Sequence, residues 1–177
     1  NSLGVNQQEQ QTMLSWSYLG MARDGEDVSG MDYDSGFSYR ASGFMDHALA
    51  GAKEFVAKVV GQLNPRRAPS YKGPILLSPR AVEEILLGNL FFHISGRSVM
   101  DGKSRWDKSI GSKVVSESLT VRDDPHDQRL SGATSYDSDG IPTRVLSIID
   151  RGVLMTHIHD SYSAKKVGTL PCGIAGA

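Results

Sequence analysis

The chain lacks the features that mark secreted, membrane-spanning and nucleic-acid-binding proteins. Its single cysteine among 177 residues, Cys172, excludes an internal disulfide and favours a reducing compartment. The longest apolar stretch, 85–94, is interrupted by polar and glycine residues and is too short to cross a bilayer. Lys and Arg number 19 against 20 Asp and Glu, so no cationic field attracts a phosphate backbone. We therefore expect a cytoplasmic protein without direct contact to membranes or nucleic acids.

Common catalytic signatures are also missing. No histidine is followed by glutamate, and there is no P-loop, no Gly-x-Gly-x-x-Gly and no Cys-x-x-Cys. The start, Asn1–Gly4, has neither a basic flank nor an apolar core, so we expect no signal peptide. Because it also lacks an initiator Met, we expect the chain to be a piece of a longer protein.

The residue pattern predicts an α+β fold. The hydrophobic fraction of 39% and the charged fraction of 22% are typical of globular domains. We predict two main helices, at about 46–63 and 79–94, and a β-hairpin near 143–159. These elements would form a two-layer arrangement with a mixed or antiparallel sheet. We interpret 1–177 as a single region, in which a sub-boundary would fall at the 64–73 connector.

Local signals refine these elements. Period-two spacing of Leu14, Trp16 and Tyr18 predicts a strand with one buried face. Asp46 is the expected N-cap of the first helix, and Ser78-Pro79 is the expected start of the second. We further predict a short buried strand at 75–77, a strand at 113–121, an apolar helix stripe that includes Ile85 and Leu86, a helix stop at Gly96, and a helical turn at 161–167 closed by Gly168.

Two patterns resemble metal sites. His157 and His159 alternate on a predicted strand, which would place both imidazoles on one face as metal ligands. Ordinary strand histidines, half-exposed and without a metal, are the favoured interpretation. Asp137 and Asp139 precede Gly140 as in a calcium loop, but Ile141 and the proline after it break the pattern. We interpret that segment as a turn held by aspartates.

Two weaker candidates concern acid–base and nucleophilic chemistry. His126 lies between Asp124 and Asp127, which would suit an acid–base cluster, although turns are rich in aspartate for backbone reasons. Cys172 has no base nearby in the sequence, so we favour a small buried residue over a nucleophile. From spacing alone, the chain is a soluble α+β domain without a visible active site.

An ordered series of segments resembles the TldD/PmbA family, once labelled modulators of DNA gyrase. Each segment is weak alone, but their order and spacing together are specific and span nearly the whole chain. The matching segments are Asn1–Gly4, Tyr71–Ala81, Gly111–Ser116, Leu119–Pro125, Tyr136–Arg144, Ile149–Leu154 and Ala164–Gly168. The resemblance implies the central part of a longer chain.

The resemblance also implies a role in intracellular proteolysis and peptide maturation. Catalytic family members resemble zinc metallopeptidases, in which a TldD-type subunit carries His-Glu-x-x-x-His and pairs with a PmbA/TldE-type subunit that holds no metal. Here Pro79, Arg80 and Glu84 stand at the three motif positions, and they cannot form that zinc site. The implied role is thus a non-catalytic subunit, without a metal or catalytic residues of its own, beside a zinc-bearing TldD-type partner or in self-association. Peptides would be the substrates.

Two alternatives remain open at this stage. In the first alternative, the chain is itself a peptidase with a different metal set, which would include His157 and His159. In the second alternative, the chain is a protein-binding module that modulates gyrase and takes no part in proteolysis. A pI near 6.6 disfavours direct DNA contact but does not bear on binding to gyrase itself.

Overall fold

The computed structural model describes residues 2, 4–127, 129 and 133–174. The chain divides into two compact units. Residues Gln10–Pro74 form the first, here called the hairpin–helix unit, and Asn1–Glu9 with Ile75–Ala177 form the second, here called the core unit. The division lies directly after the 64–73 connector. The α+β class is confirmed, with small antiparallel sheets in place of one larger sheet.

The hairpin–helix unit is a strand pair covered on one face by a helix. Strands β1 (Leu14–Gly20) and β4 (Asp32–Ser38) pair antiparallel. The chain between them contains the short strands β2 (Arg23–Asp24) and β3 (Asp27–Val28), which pair with each other. The predicted alternation is confirmed, because Leu14, Trp16 and Tyr18 are less exposed than their neighbours. Their face meets helix α1 (Phe44–Val60), where the Tyr18 hydroxyl donates to the Ala48 carbonyl.

Helix α1 begins and ends earlier than predicted. Its N-cap is Gly43, which has a left-handed backbone (φ 74°), and Asp46 lies within the first turn instead of capping it. The helix ends at Val60, before the predicted end near residue 63. The buried residues of α1 are Ala48, Phe55 and Val59. Leu49, Val56 and Val60 remain about half exposed, so the two strands cover less of the helix than its pattern predicts.

The predicted second helix of the core unit is confirmed, with an irregular middle. It consists of α2 (Pro79–Val82), a π-helical turn (Glu83–Leu87) and α3 (Gly88–Ile94). Ser78 caps it by accepting a hydrogen bond from the amide of Ala81, and Pro79 occupies the first helical position. Ile85 and Leu86 are about half exposed, which corrects the predicted stripe. The π turn adds a residue to the period, so side chains after Val82 face directions that a regular 3.6-residue repeat does not predict.

A three-stranded antiparallel sheet supports this helix. The sheet contains β5 (Val121–Asp123), β6 (Leu146–Asp150) and β7 (Val153–Leu154). The predicted hairpin is confirmed as β6–β7 with narrower bounds and a two-residue loop, since Asp150 pairs with Val153. Both loop residues, Arg151 and Gly152, have positive φ, as the tightest hairpin turns require. Leu90, Ile94, Ile148, Ile149 and Leu154 form the buried core.

Two predicted strands of the core unit are wrong. Residues 75–77 pair with no strand in the described part of the chain, and Leu76 is 98% exposed. An apolar segment is buried only where another element packs over it. A local sequence pattern does not predict whether such an element is present. The predicted strand at 113–121 retains one bridge, between Lys113 and Val153, and its regular part starts only at Val121.

Within the described part of the chain, every helix is too short or too polar to cross a bilayer.

Candidate functional site

A connected cluster of polar groups in the core unit lies where α3 ends. At that point Ser95 leaves the helix and forms a parallel bridge with Ile158. The amide of Gly96 donates to the Ile158 carbonyl at 2.7 Å, and the amide of Ile158 donates to the Ile94 carbonyl at 2.8 Å. Helix α4 (Gly96–Met100) then starts at the glycine that was predicted to stop the helix. The bridge places the segment around Ile158 against both helices.

His157 and His159 flank this bridge, and both are buried, at 3% and 7% exposure. This corrects the interpretation as half-exposed strand histidines. Their ring centroids lie 6.3 Å apart, and the two ring planes are nearly perpendicular. The Nε2 of His157 lies 2.9 Å from the Trp106 carbonyl oxygen. A carbonyl only accepts, so Nε2 carries the proton and is not available as a metal ligand.

The imidazole of His159 belongs to a chain of polar groups that we call the His159 relay. Its Nδ1 lies 3.2 Å from the Ser163 hydroxyl, which in turn lies 2.6 Å from the Asp160 carboxylate. The same carboxylate forms an ion pair with Arg97, with Nη2 and Oδ2 separated by 2.7 Å. Since the serine has one proton and gives it to the carboxylate, its oxygen accepts the Nδ1 proton of His159. The relay therefore joins α4 to helix α5 (Ser161–Val167).

Charge in the relay is set by burial and by hydrogen bonds. Burial opposes the charged form of Asp160, but hydrogen bonds from Ser163 and Arg97 outweigh it and lower the pKa of Asp160 to about 2. Burial lowers the pKa of His159, and the neighbouring His157 lowers it further, whereas Asp160 acts in the opposite direction. At neutral pH the relay thus contains a carboxylate and a neutral imidazole.

The arrangement does not make Ser163 a nucleophile. A catalytic serine gives its proton to the imidazole, whereas Ser163 gives its proton to a carboxylate and accepts one from the ring. Ser163 is also 1% exposed, and its amide donates to the carboxylate of Asp160, the N-cap of α5. The geometry therefore indicates a group that fixes the positions of helices and loops.

Cys172 closes the same cluster. Its thiol is 5% exposed, accepts from the His159 amide and donates to the His157 carbonyl, each at 3.4 Å. The Cys172 amide donates to the His159 carbonyl at 2.8 Å. The interpretation of Cys172 as a small buried residue is confirmed.

The aspartate-rich turn forms as predicted. The Asp137 carboxylate accepts from the amides of Asp139 and Ile141, each at 2.9 Å. Asp139 uses its own carboxylate to accept from the Ser161 amide at the start of α5. These backbone contacts explain the aspartates without a bound cation.

The acid–base cluster around His126 does not assemble. Asp124 forms an ion pair with Arg122, and Asp127 forms one with Arg129. The hydrogen bond from Arg129 lowers the pKa of Asp127 to about 2. The His126 ring contacts neither carboxylate and lies 3.4 Å from the Thr143 hydroxyl.

Comparison with known proteins identifies the fold and the family. Residues 70–177 match the family described as PmbA/TldA metallopeptidase C-terminal domain. The chain belongs to this family. This confirms the resemblance seen in the sequence, and the matched residues include most of the core unit.

Individual relatives agree with this assignment. The chain is 29% identical over 176 residues to the metalloprotease PmbA of Escherichia coli O157:H7, covering 99% of the chain and 38% of that protein. A Bacteroides thetaiotaomicron structure, described as a candidate modulator of DNA gyrase, aligns with a TM-score of 0.71 and 27% identity over 93% of the chain and 36% of its own. The TldE structure from Thermococcus kodakarensis shares the fold, with a TM-score of 0.55 and 20% identity over 91% of the chain and 35% of its own.

The residues of this PmbA/TldA family member do not fit a zinc site at the start of its second helix. Pro79 has no ligand atom, and the Arg80 Nε lies 2.9 Å from the Glu84 carboxylate in an i,i+4 ion pair. Throughout the described residues, no group of three or more His, Cys, Asp or Glu side chains is arranged to hold a metal ion. The alternative metal set with His157 and His159 thus lacks a third ligand there, in addition to the engaged Nε2 of His157.

The contribution of the cap at Asp160 can be measured directly. Asp160→Ala removes the α5 cap and the Arg97 ion pair, and we expect a loss of about 1 kcal/mol in unfolding free energy at neutral pH. Because the folded pKa is lowered, this contribution is present above the unfolded pKa near 4 and disappears as the pH falls through about 2.

Urea unfolding at several pH values tests this expectation. Asp150→Ala is the matched control, because Asp150 is half exposed and its nearest cation, on Arg151, is 3.9 Å away. Equal losses for the two variants would contradict the assigned role of Asp160.

Proposed function

We propose that this chain is a PmbA/TldE-type component of an intracellular proteolytic assembly, without metal chemistry of its own. The main support is the ion pair of Arg80 and Glu84, which occupies the helix start where the resemblance places a metal motif in catalytic subunits. An arginine neither binds zinc nor acts as a general base. Peptide cleavage and maturation would then depend on zinc in a TldD-type partner.

The proposed contribution of this chain is to complete the chamber around the partner's zinc and to hold extended peptide. The outer edges of the β1–β4 pair carry no further strand in the described part of the chain. β1 contains no charged residue over its seven positions, whereas β4 contains Asp32 and Asp34. Charges protect strand edges against added strands, so the β1 edge is the better candidate for backbone pairing with a peptide.

Reconstitution with a TldD-type subunit tests the proposal. We expect co-purification of the two chains, zinc that assigns to the TldD-type chain, and peptide cleavage that falls at least tenfold when this chain is omitted. Arg80→Ala is the matched variant and should leave the zinc content of the complex unchanged. Equal cleavage with and without this chain would refute the chamber role.

Two further measurements on this chain test the two alternatives. About one tightly bound zinc on this chain alone, lost in His157→Ala, would establish a peptidase with a different metal set. The description of the Bacteroides thetaiotaomicron structure as a candidate modulator of DNA gyrase motivates the other alternative. Capture of gyrase subunits without a TldD-type protein would support modulation of gyrase instead.

A further inference from the structure

We propose that the His159 relay is a pH-sensitive latch that holds α5 and the Cys172 segment against α4 at neutral pH and releases them in acid. The proposal is independent of any peptidase role. It rests on the connections of the relay, on the enclosure of the imidazole and on the tautomer that its contacts impose.

The relay links segments that are far apart in the sequence. Arg97 on α4 and Asp160 at the start of α5 are 63 residues apart, and their ion pair is the outer end of the relay. Ser163 and His159 form the inner end, where the His159 backbone also exchanges hydrogen bonds with Cys172. Opening the relay would therefore loosen α5 and expose the Cys172 thiol together.

The imidazole is closely enclosed by backbone. A Cβ placed on Gly96 would lie 2.2 Å from Nδ1 of His159 and 2.7 Å from the Ile158 carbonyl oxygen. Only a glycine permits this approach of α4 to the ring. The ring therefore has little freedom to turn while the helices stay in place.

The hydrogen bonds fix which nitrogen of His159 is free. Nδ1 donates to the Ser163 oxygen, so the neutral ring carries its lone pair on Nε2. A second proton must therefore enter at Nε2, where no described residue forms a hydrogen bond with the ring. Acid thus creates a charged N–H donor that, among the described residues, has no acceptor in the closed latch.

The groups that face His159 do not favour the imidazolium enough to retain it. His157 would repel it if charged, and Cys172 contributes only uncharged contacts from its own segment. Asp160 attracts it, but its carboxylate is already paired with Arg97 from α4 and bonded to Ser163 from α5. Because burial is the leading cause of the lowered His159 pKa, the closed form binds fewer protons than the open form between the two pKa values. The latch is then closed above about pH 6.5, the usual histidine value, and weakens as the pH falls below it.

The thiol of Cys172 provides a single-site measurement, because the chain contains no other cysteine. Its reaction rate with 4,4′-dithiodipyridine is measured between about pH 7.5 and 5.5 and divided by the rate in urea-unfolded protein at each pH. We expect this ratio to rise with acid, by up to about tenfold for a group near pKa 6.5 that titrates only in the open form. A ratio that does not change would overturn the proposal.

Matched histidine variants identify the responsible group. His159→Asn keeps a nitrogen donor near the Nδ1 position and removes the titration, so it should abolish the rise. His126→Asn changes an exposed histidine outside the relay, so the rise in the rate ratio should persist in this variant. A rise that survives His159→Asn, or disappears in His126→Asn, would contradict the assignment.

A measurement on the unaltered protein covers the case in which His159→Asn does not fold. Ring nitrogen NMR should show a proton on Nδ1 of His159 at neutral pH and a titration midpoint below that of a free histidine. A proton on Nε2 at neutral pH, or a midpoint at or above 6.5, would exclude the latch.

Discussion

Replacing Gly96 with alanine is expected to destabilise the core unit by about 3 kcal/mol or more. The new Cβ would lie 2.2 Å from Nδ1 of His159 and 2.7 Å from the Ile158 carbonyl oxygen, and the second of these atoms is backbone. The Gly96 amide also donates to this carbonyl, so the clash would strain the bridge that joins the two segments. Either α4 moves away or the His159 ring leaves its site.

Gly88→Ala is the matched control for Gly96→Ala. Gly88 starts α3 with helical backbone angles, and a Cβ there would meet no atom within 4 Å. Alanine at this position should therefore be neutral or stabilise the protein by about 0.5–1 kcal/mol. Chemical denaturation of both variants measures the difference, and similar unfolding free energies would contradict the close packing at Gly96.

The ends of several helices could be predicted because the signals that mark them are local. Ser78 and Pro79 start the second helix as predicted, and Gly168 ends α5 with a left-handed backbone. Each signal involves one hydrogen bond or one backbone angle within four residues. Asp46 shows the limit of this reasoning, because Gly43 takes the cap position three residues earlier.

Burial was predicted less well, because periodicity shows which residues share a face but not what covers the face. Leu76 and Ile85 belong to apolar patterns, yet both are mainly exposed in the core unit. The same holds for Val56 on α1. The sequence contains the amphipathic pattern, and the identity of the covering element depends on tertiary contacts outside that pattern.

The His159 relay could be predicted only in part. The histidine pair stood out by its spacing, and Asp160 with Ser163 forms an N-cap pattern that a search for helix starts can find. Arg97 could not be assigned, because its contact with Asp160 spans 63 residues and depends on the bridge between Ser95 and Ile158. The absence of the metal motif, by contrast, was readable from Pro79 and Arg80 directly.

Truncation of Ile149 to alanine is expected to lower the unfolding free energy of the core unit by about 3–4 kcal/mol. Ile149 is fully buried on β6, and it packs in the cluster that also contains Leu90 and Ile94 of α3. Its neighbours come from a sheet and a helix that backbone hydrogen bonds hold in place, so the site cannot close fully over the lost carbons. Ile149→Val should cost about 1 kcal/mol for the same reason.

The two tryptophans allow this loss to be assigned to one unit. Trp106 packs against the buried core of the core unit, whereas Trp16 lies in the hairpin–helix unit. In a Trp16→Phe background, fluorescence in a urea titration therefore reports the core unit. Ile110→Ala is the matched control, since Ile110 is 56% exposed and its truncation should cost less than about 0.5 kcal/mol. A loss for Ile149→Ala no larger than that of Ile110→Ala would show that β6 and α3 do not share a stable core, and the support that positions the His159 relay would then be absent.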